Sequence, residues 1–248
     1  MDTALSIVIP AHNEDGSIEE TVRSINKTLV REHISHEIIV VNDNSTDGTQ
    51  AMLDVLSAHI PEVRPMVNNG AGGYGRTVVA GIDEASGEYV AIMMADLSDD
   101  PEDLIRFYRE ARRTGADCIF GSRFIKGGSV RDYPRMKLWL NRFANTLVRL
   151  LFRIKYNDCT NAFKLYKLST LNGLRPFLAP HFNLTLELPL KAIVRGYSYR
   201  VLPNSWSNRK SGISKLKIKE MGSRYLFILL YCLIERYFSR GDFNKNTE

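Results

Sequence analysis

Through the first 122 residues, short unbroken apolar runs alternate with segments whose apolar positions recur every three or four residues, and very few folds accept that order. The runs are LSIVI (5–9), EIIVV (37–41), VRPMV (63–67), YVAIMM (89–94) and DCIFG (117–121). Between them Ile18, Val22, Ile25 and Leu29 share one helical face, as do Leu53, Leu56 and Ile60, then Val78, Val79, Ile82 and Ala85, then Leu104, Ile105 and Tyr108. Ser17 and Glu20 are spaced as a capping box for the first of these helices. Strands that are apolar on both sides must be covered on both faces, and strand–helix alternation achieves this with a mostly parallel sheet. The expectation is an α/β, Rossmann-like domain whose ligand site lies at the carboxyl ends of the strands.

That rule brings four loops to one edge: IPAHNED after the first strand, VVNDNSTDGT after the second, MMADLSDD after the fourth and FGSRF after the fifth. Turn chemistry accounts for any one of them, but four polar exits on one edge make a site. Glu14 and Asp43 can accept hydrogen bonds from base N–H groups or ribose hydroxyls, and the glycines of NNGAGGYG, Gly72 among them, let a ligand approach the backbone. The loose GAGGYG match to a dinucleotide fingerprint lacks the acidic residue that should follow it. The fourth exit is the most charged, with Asp96, Asp99, Asp100, Glu102 and Asp103 close together. Asp96, helped by Ser98 or Asp99, offers hard oxygens to Mg2+ or Mn2+. Asp100, Glu102 and Asp103 suit the macrodipole of a helix opened by Pro101.

Charge divides the chain. Residues 1–122 hold 9 basic and 21 acidic side chains, a net of −12, whereas residues 123–248 hold 24 basic and 7 acidic, a net of +17. An acidic half suits a metal cation; a basic half suits phosphates or an anionic membrane surface. No nucleic-acid-binding motif accompanies the positive charge, so nucleic acid is not an expected partner. In YPRMKLWLNRFANTLVRLLFRIKY, Met136, Leu140, Phe143, Leu147 and Leu151 form one face, with Lys137, Arg142, Arg149 and Arg153 supplying charge. Such a helix either packs its apolar face on the core or lies on an anionic bilayer. YLFILLYCLI (225–234) is far shorter than the roughly 20 residues a span requires, so it packs in the core or dips into the interface. Cys118, Cys159 and Cys232 share no metal-ligand spacing, and the N-terminus reads as a first strand rather than a signal peptide. The expected location is cytoplasmic, peripheral on the cytoplasmic face of a membrane.

Taken in order, IVIPAHNE, IIVVNDNSTDGT, MMADLSDDP, GSRF, DCTNAFKLY and GISKL resemble the family 2 glycosyltransferases, and within them the dolichol- or polyprenyl-phosphate sugar synthases. The resemblance runs from about residue 5 to residue 216. It implies a GT-A fold and an inverting transfer of a hexose from a nucleoside-diphosphate sugar, GDP- or UDP-linked, to a polyprenyl or dolichyl phosphate, with Mg2+ or Mn2+ as cofactor. It also implies roles: Pro10, Asn13, Glu14 and Asp43 at the donor nucleotide, Asp96 at the metal, and Arg123 near the donor phosphates and the acceptor. Arg209 and Lys210 fall in the loop that covers the donor, with Ser214 and Lys215 on its acceptor side. Lys137 and Asn141 stand in the acceptor-phosphate segment where Arg and Ser are common, Met94 replaces the first Asp of a DAD motif, and Asn42 replaces the first Asp of DDGS.

The implied organisation is a glycosyltransferase domain over 1–215, with a nucleotide-sugar half (1–122) and an acceptor half (123–215), followed by a C-terminal amphipathic helix and tail (216–248). A lipid phosphate is already anionic, so its attack needs no dedicated general base; Asp99 is the one further catalytic candidate. The alternative is a family 2 enzyme acting on a soluble glycan or another non-lipid acceptor, whose uncharged hydroxyl would need a base.

Overall fold

In the computed structural model, which describes residues 3–208 and 218–245, every residue of the first strand, β1 (Leu5–Ala11), is buried. Its alternate side chains enter different cores: Leu5, Ile7 and Ile9 pack on one face of the sheet and Val8 on the other. The expected alternation follows, with α1 (Ile18–Arg31), β2 (His36–Asn42), α2 (Thr49–His59), β3 (Val63–Val67), α3 (Tyr74–Asp83), β4 (Tyr89–Ile92), α4 (Pro101–Thr114) and β5 (Cys118–Ser122). Then come β6 (Ser129–Arg131), α5 (Arg135–Phe152), β7 (Lys164–Lys167), α6 (Leu168–Gly173), α7 (Leu184–Val194), β8 (Tyr199–Pro203), β9 (Ser205–Ser207) and α8 (Ile218–Phe238).

The main sheet has the order β3-β2-β1-β4-β7-β5-β8. Only β7 runs antiparallel to its neighbours, pairing Ile92 with Lys164 on one side and Phe120 with Lys164 on the other. The exits of β1, β2, β4 and β5 therefore do share one edge. Helices α1, α2 and α4 cover one face; α3, α5, α7 and α8 contribute to the core on the other. This is the GT-A, Rossmann-like architecture expected from the sequence.

Local chemistry departs from expectation at the start of α1, and it bears on two apolar segments whose placement the sequence left open. The Ser17–Glu20 capping box does not form: Ser17 precedes α1 but makes no side-chain cap, and its Oγ donates to the Glu14 carboxylate at 3.2 Å. The apolar stripe of α5 does not enter the core; Val148 and Phe152 do, while Trp139 (65% exposed), Phe143 (60%) and Leu150 (72%) face outward. The run at 225–234 divides, with Ile228, Leu229 and Cys232 buried and Leu226, Phe227, Leu230 and Ile234 exposed. Among the described residues no helix is long and apolar enough to cross a membrane.

Candidate active site

At the β1 and β2 exits, Asn13 adopts a left-handed conformation (φ 55°), and its side-chain oxygen accepts the Thr46 N–H at 2.8 Å. The Glu14 N–H donates to Thr49 Oγ1 at 2.9 Å, so the two loops are stitched together. Asp43 accepts hydrogen bonds from Asn68 Nδ2 and the Gly73 N–H, both at 2.8 Å, which folds the glycine-rich loop over the β2 exit. Gly72 lies against Asp43, where an added Cβ would sit 3.2 Å from its Oδ1. The glycines that most need to be glycine serve the chain itself. Gly73 has φ 141° and a Cβ there would meet Pro180 O at 2.5 Å, while one on Gly75 would meet Ala179 O at 2.1 Å.

The five carboxylates of the fourth exit separate by task. Asp100 is the N-cap of α4 and accepts the Glu102 N–H at 2.9 Å, with Pro101 opening the helix. Glu102 is exposed and pairs with Arg31. Asp103 is buried and binds both Arg106 and the Ser205 N–H, fixing β9 to α4, a tie that its first-turn position did not reveal. Asp96 and Asp99 remain, both buried, in a tight turn through Leu97 (φ 60°). Asp96 Oδ1 accepts the Ser98 N–H, and Asp99 Oδ2 accepts the Met94 N–H at 3.1 Å. Burial, reinforced by the charge of Asp96, pushes the Asp99 carboxyl up to about 7 against the pull of that Met94 bond. Ser98 Oγ is buried without a hydrogen-bond partner. Two carboxylates and an orphaned hydroxyl fit a hard divalent cation that takes its remaining ligands from phosphate and water, although no group of three or more His, Cys, Asp or Glu forms a metal cluster among the described residues.

Across β7 lies Arg123, buried at the β5 exit. Its Nε and Nη2 donate to the two oxygens of Asp158 at 2.8 and 2.7 Å, and its backbone N–H donates to the same carboxylate at 3.0 Å. Burial alone would lower the guanidinium's pKa, but the charge and hydrogen bonds of Asp158 outweigh it and leave it raised. Phe124, Tyr133 and Trp206 surround the cation with ring centroids 5.2, 5.8 and 5.9 Å away. The Asn141 Nδ2 donates to Thr160 Oγ1 at 2.9 Å, and the buried Asn145 donates to the same hydroxyl at 3.0 Å. Thus α5 is tied to the Asp158–Asn161 turn, and Asn141 meets the expected site through that turn. Lys137 is half-buried in the first turns of the same helix. Arg209, Lys210, Ser214 and Lys215 lie outside the described residues.

The structure thus places Pro10, Asn13, Glu14, Asp43 and Gly72 at or beside the β1 and β2 exits, Asp96 and Asp99 at the β4 exit and Arg123 at the β5 exit, with Asn141 joined to Arg123 through the Asp158–Asn161 turn and Lys137 one helical turn before Asn141 on α5. Asp158, Tyr133 and Trp206 lie against Arg123, and Thr160 against Asn141; none of the four was anticipated. The signal for Asp158 was available in DCTNAFKLY, where one acidic residue precedes a run otherwise free of negative charge.

Residues 6–174 match the profile of Glycosyl transferase family 2. The chain is 32% identical over 216 residues to the polyprenol monophosphomannose synthase of Mycolicibacterium smegmatis, covering 85% of this chain and 80% of that protein. It is 32% identical over 219 residues to the dolichol-phosphate mannosyltransferase of Pyrococcus furiosus, covering 87% of this chain but 60% of that relative's length. Among solved structures, glucosyl-3-phosphoglycerate synthase from Mycobacterium tuberculosis in complex with uridine diphosphate superposes with a TM-score of 0.69 at 18% identity, over 94% of this chain and 80% of that one. The same enzyme with Mn2+, uridine diphosphate and glucosyl-3-phosphoglycerate gives the same TM-score. At that identity the likeness is one of fold.

Proposed function

The chain belongs to glycosyl transferase family 2, and on that premise we propose that it transfers a hexose, with inversion, from a GDP- or UDP-linked sugar to the phosphate of a polyprenyl or dolichyl lipid at a membrane surface. The observation that carries this acceptor is the outward apolar face of α5, bearing Trp139 and Phe143, on the helix whose Asn141 reaches the turn that clamps Arg123. A phosphate site beside an exposed apolar surface is what a phosphorylated lipid requires. The two named relatives, a polyprenol monophosphomannose synthase and a dolichol-phosphate mannosyltransferase, support the same acceptor class.

In this reading Asn13, Glu14, Asp43 and Gly72 hold the nucleotide beside Pro10, and Arg209 and Lys210 add positive charge at the donor phosphates. Arg123, with Lys137, Asn141, Ser214 and Lys215, receives the acceptor phosphate. The difficulty of the reaction is electrostatic, since an anionic nucleophile approaches the donor while charge grows on the departing diphosphate. The fixed cation of Arg123, already oriented by Asp158, is paid for in the folded protein and need not reorganise during transfer. Asp96, with Ser98 and Asp99, would hold Mg2+ or Mn2+, and when bound the cation supplies charge to the leaving diphosphate. The basic residues of α5 would seat the enzyme on the anionic, cytoplasmic surface of a membrane.

A panel of GDP- and UDP-sugars offered with a short polyprenyl phosphate, 3-phosphoglycerate and soluble glycans tests the reading. Transfer to the lipid phosphate is expected. Transfer only to a water-soluble acceptor would overturn it.

A further inference from the structure

At the centre of the sheet, where β7 is flanked by Ile92 and Phe120, the chain places a lysine. Lys164 is 1% exposed, and its ammonium donates to the carbonyl oxygens of Cys159 (3.1 Å), Asn161 and Thr185 (3.1 Å). All three of its donors are used, and none goes to a carboxylate. An apolar side chain at such a position is ordinarily the more stable choice, because a buried ammonium loses its hydration.

What the ammonium holds is informative. Two of its three acceptors belong to the turn Asp158–Asn161, and nearly every polar group of that turn reaches an element of the acceptor side. Asp158 clamps Arg123, Thr160 Oγ1 receives Asn141 and Asn145, and Asn161 Nδ2 donates to Gly121 O and Asn204 Oδ1, both at 3.0 Å. The third acceptor, Thr185, ties the start of α7 to the same point.

We propose that Lys164 is a positioning residue for the acceptor phosphate: from beneath the site it pins the Asp158–Asn161 turn, so that Asp158 and Thr160 hold Arg123 and Asn141 in their receiving orientation. This deepens the reading given under Proposed function and rests on it for the identity of the acceptor. Lys164 acts without touching substrate, and its influence stops at the acceptor side because Asn13, Glu14 and Asp43 are held by a separate set of bonds. Burial brings the ammonium down to about 7, with Cys159 and Asp158 opposing the fall. The charged or titratable groups around it are Cys159 and Asp158 in the turn, Arg123 beyond β5, Asp99 beyond β4, Tyr74 of α3 and Tyr166 of β7.

The test uses the full chain with K164M and K164R. K164M is expected to fold with a lowered thermal midpoint, because the buried carbonyls of Cys159, Asn161 and Thr185 lose their donor. Its KM for a short polyprenyl phosphate should rise at least about tenfold while its affinity for GDP or UDP stays within about twofold, and amides 157–161 should lose hydrogen-exchange protection. K164R should recover most of the acceptor KM. Equal loss of donor and acceptor binding, or an unchanged acceptor KM with unchanged protection, overturns the proposal. A wild-type protein that binds nucleotide but no lipid phosphate refutes the acceptor reading alone, and the exchange comparison still decides the role of Lys164. Should K164M not fold, K164Q, which keeps an N–H donor on a shorter side chain, decides by the same acceptor-KM and exchange measurements and the same overturning results.

Discussion

Asp158 grips Arg123 three times, through the backbone N–H at 3.0 Å, Nε at 2.8 Å and Nη2 at 2.7 Å, and both side chains are out of solvent. Removing either partner leaves a buried charge uncompensated, which costs about 3–5 kcal/mol. Asp158→Ala is therefore expected to lower the urea midpoint by that order and, by releasing Arg123, to reduce turnover by about 10²-fold. The Arg123→Ala, Asp158→Ala double variant should be less destabilised than the two single losses added. Strict additivity in the urea curves would mean that the two side chains are not coupled.

Asp96→Ala is expected to abolish transfer and weaken Mn2+ binding, seen as free Mn2+ in electron paramagnetic resonance, without loss of the folded circular-dichroism spectrum. Glu102→Ala should be mild, since its carboxylate pairs with Arg31 at the exposed surface. Turnover of Asp96→Ala within a few-fold of wild type would remove Asp96 from the metal site.

Asp99 gives the metal-free protein a specific pH dependence. Its carboxyl is raised from 3.8 to about 7 in the fold, so between those values the folded state binds the proton that the unfolded state has lost. Its contribution to stability is full below about pH 4 and is lost as pH rises through about 7. Asp99→Asn should accordingly be more thermostable than wild type at pH 8 in EDTA, and the difference should vanish towards pH 4. A constant difference across that range would show that Asp99 does not titrate as described.

The exposed face of α5 predicts sedimentation with vesicles containing anionic lipid. Salt should release the protein, because surface attraction is screened over about 8–10 Å at 0.1–0.15 M. Phe143→Glu should weaken the association while leaving the thermal midpoint nearly unchanged, since the side chain already faces outward. Salt-independent binding to neutral and anionic vesicles alike would contradict the electrostatic part.

Strands β1, β2, β4 and β5 could be read from the sequence because a strand buried on both faces is apolar at most positions, whereas β3, VRPMV, is largely uncovered and was legible only through Val63, Met66 and Val67 and its place in the alternation. KLYK could not, since β7 carries lysine at both ends and one of them is buried by hydrogen bonding to carbonyls rather than by apolarity. That omission hid Asp158: its turn precedes a reversed strand, and a search of strand exits does not visit strand entrances. Asp96 and Arg123 stand at strand exits, within reach of the exit rule, and both lie there in the fold. The stripe on α5 was equally visible as a periodicity, yet periodicity identifies an apolar face without saying what covers it, and the described residues leave this one exposed. The glycines after β3 read as places where a ligand approaches the backbone; at Gly73 and Gly75 the approaching atoms are those of residues 179–181.

Because β7 returns antiparallel beside β5, with Phe120 opposite Lys164 and Cys118 opposite Tyr166, everything from Arg123 to Phe163 leaves the sheet and rejoins it at adjacent rungs. In topological terms α5, proposed to face the acceptor, and the turn it is tied to are one long hairpin excursion. Such an excursion is a natural cassette: its length and sequence can be exchanged between related enzymes without shifting the register of β1, β2 or β4, whose exits carry the proposed nucleotide site. Acceptor choice can thus diverge while nucleotide choice stays fixed.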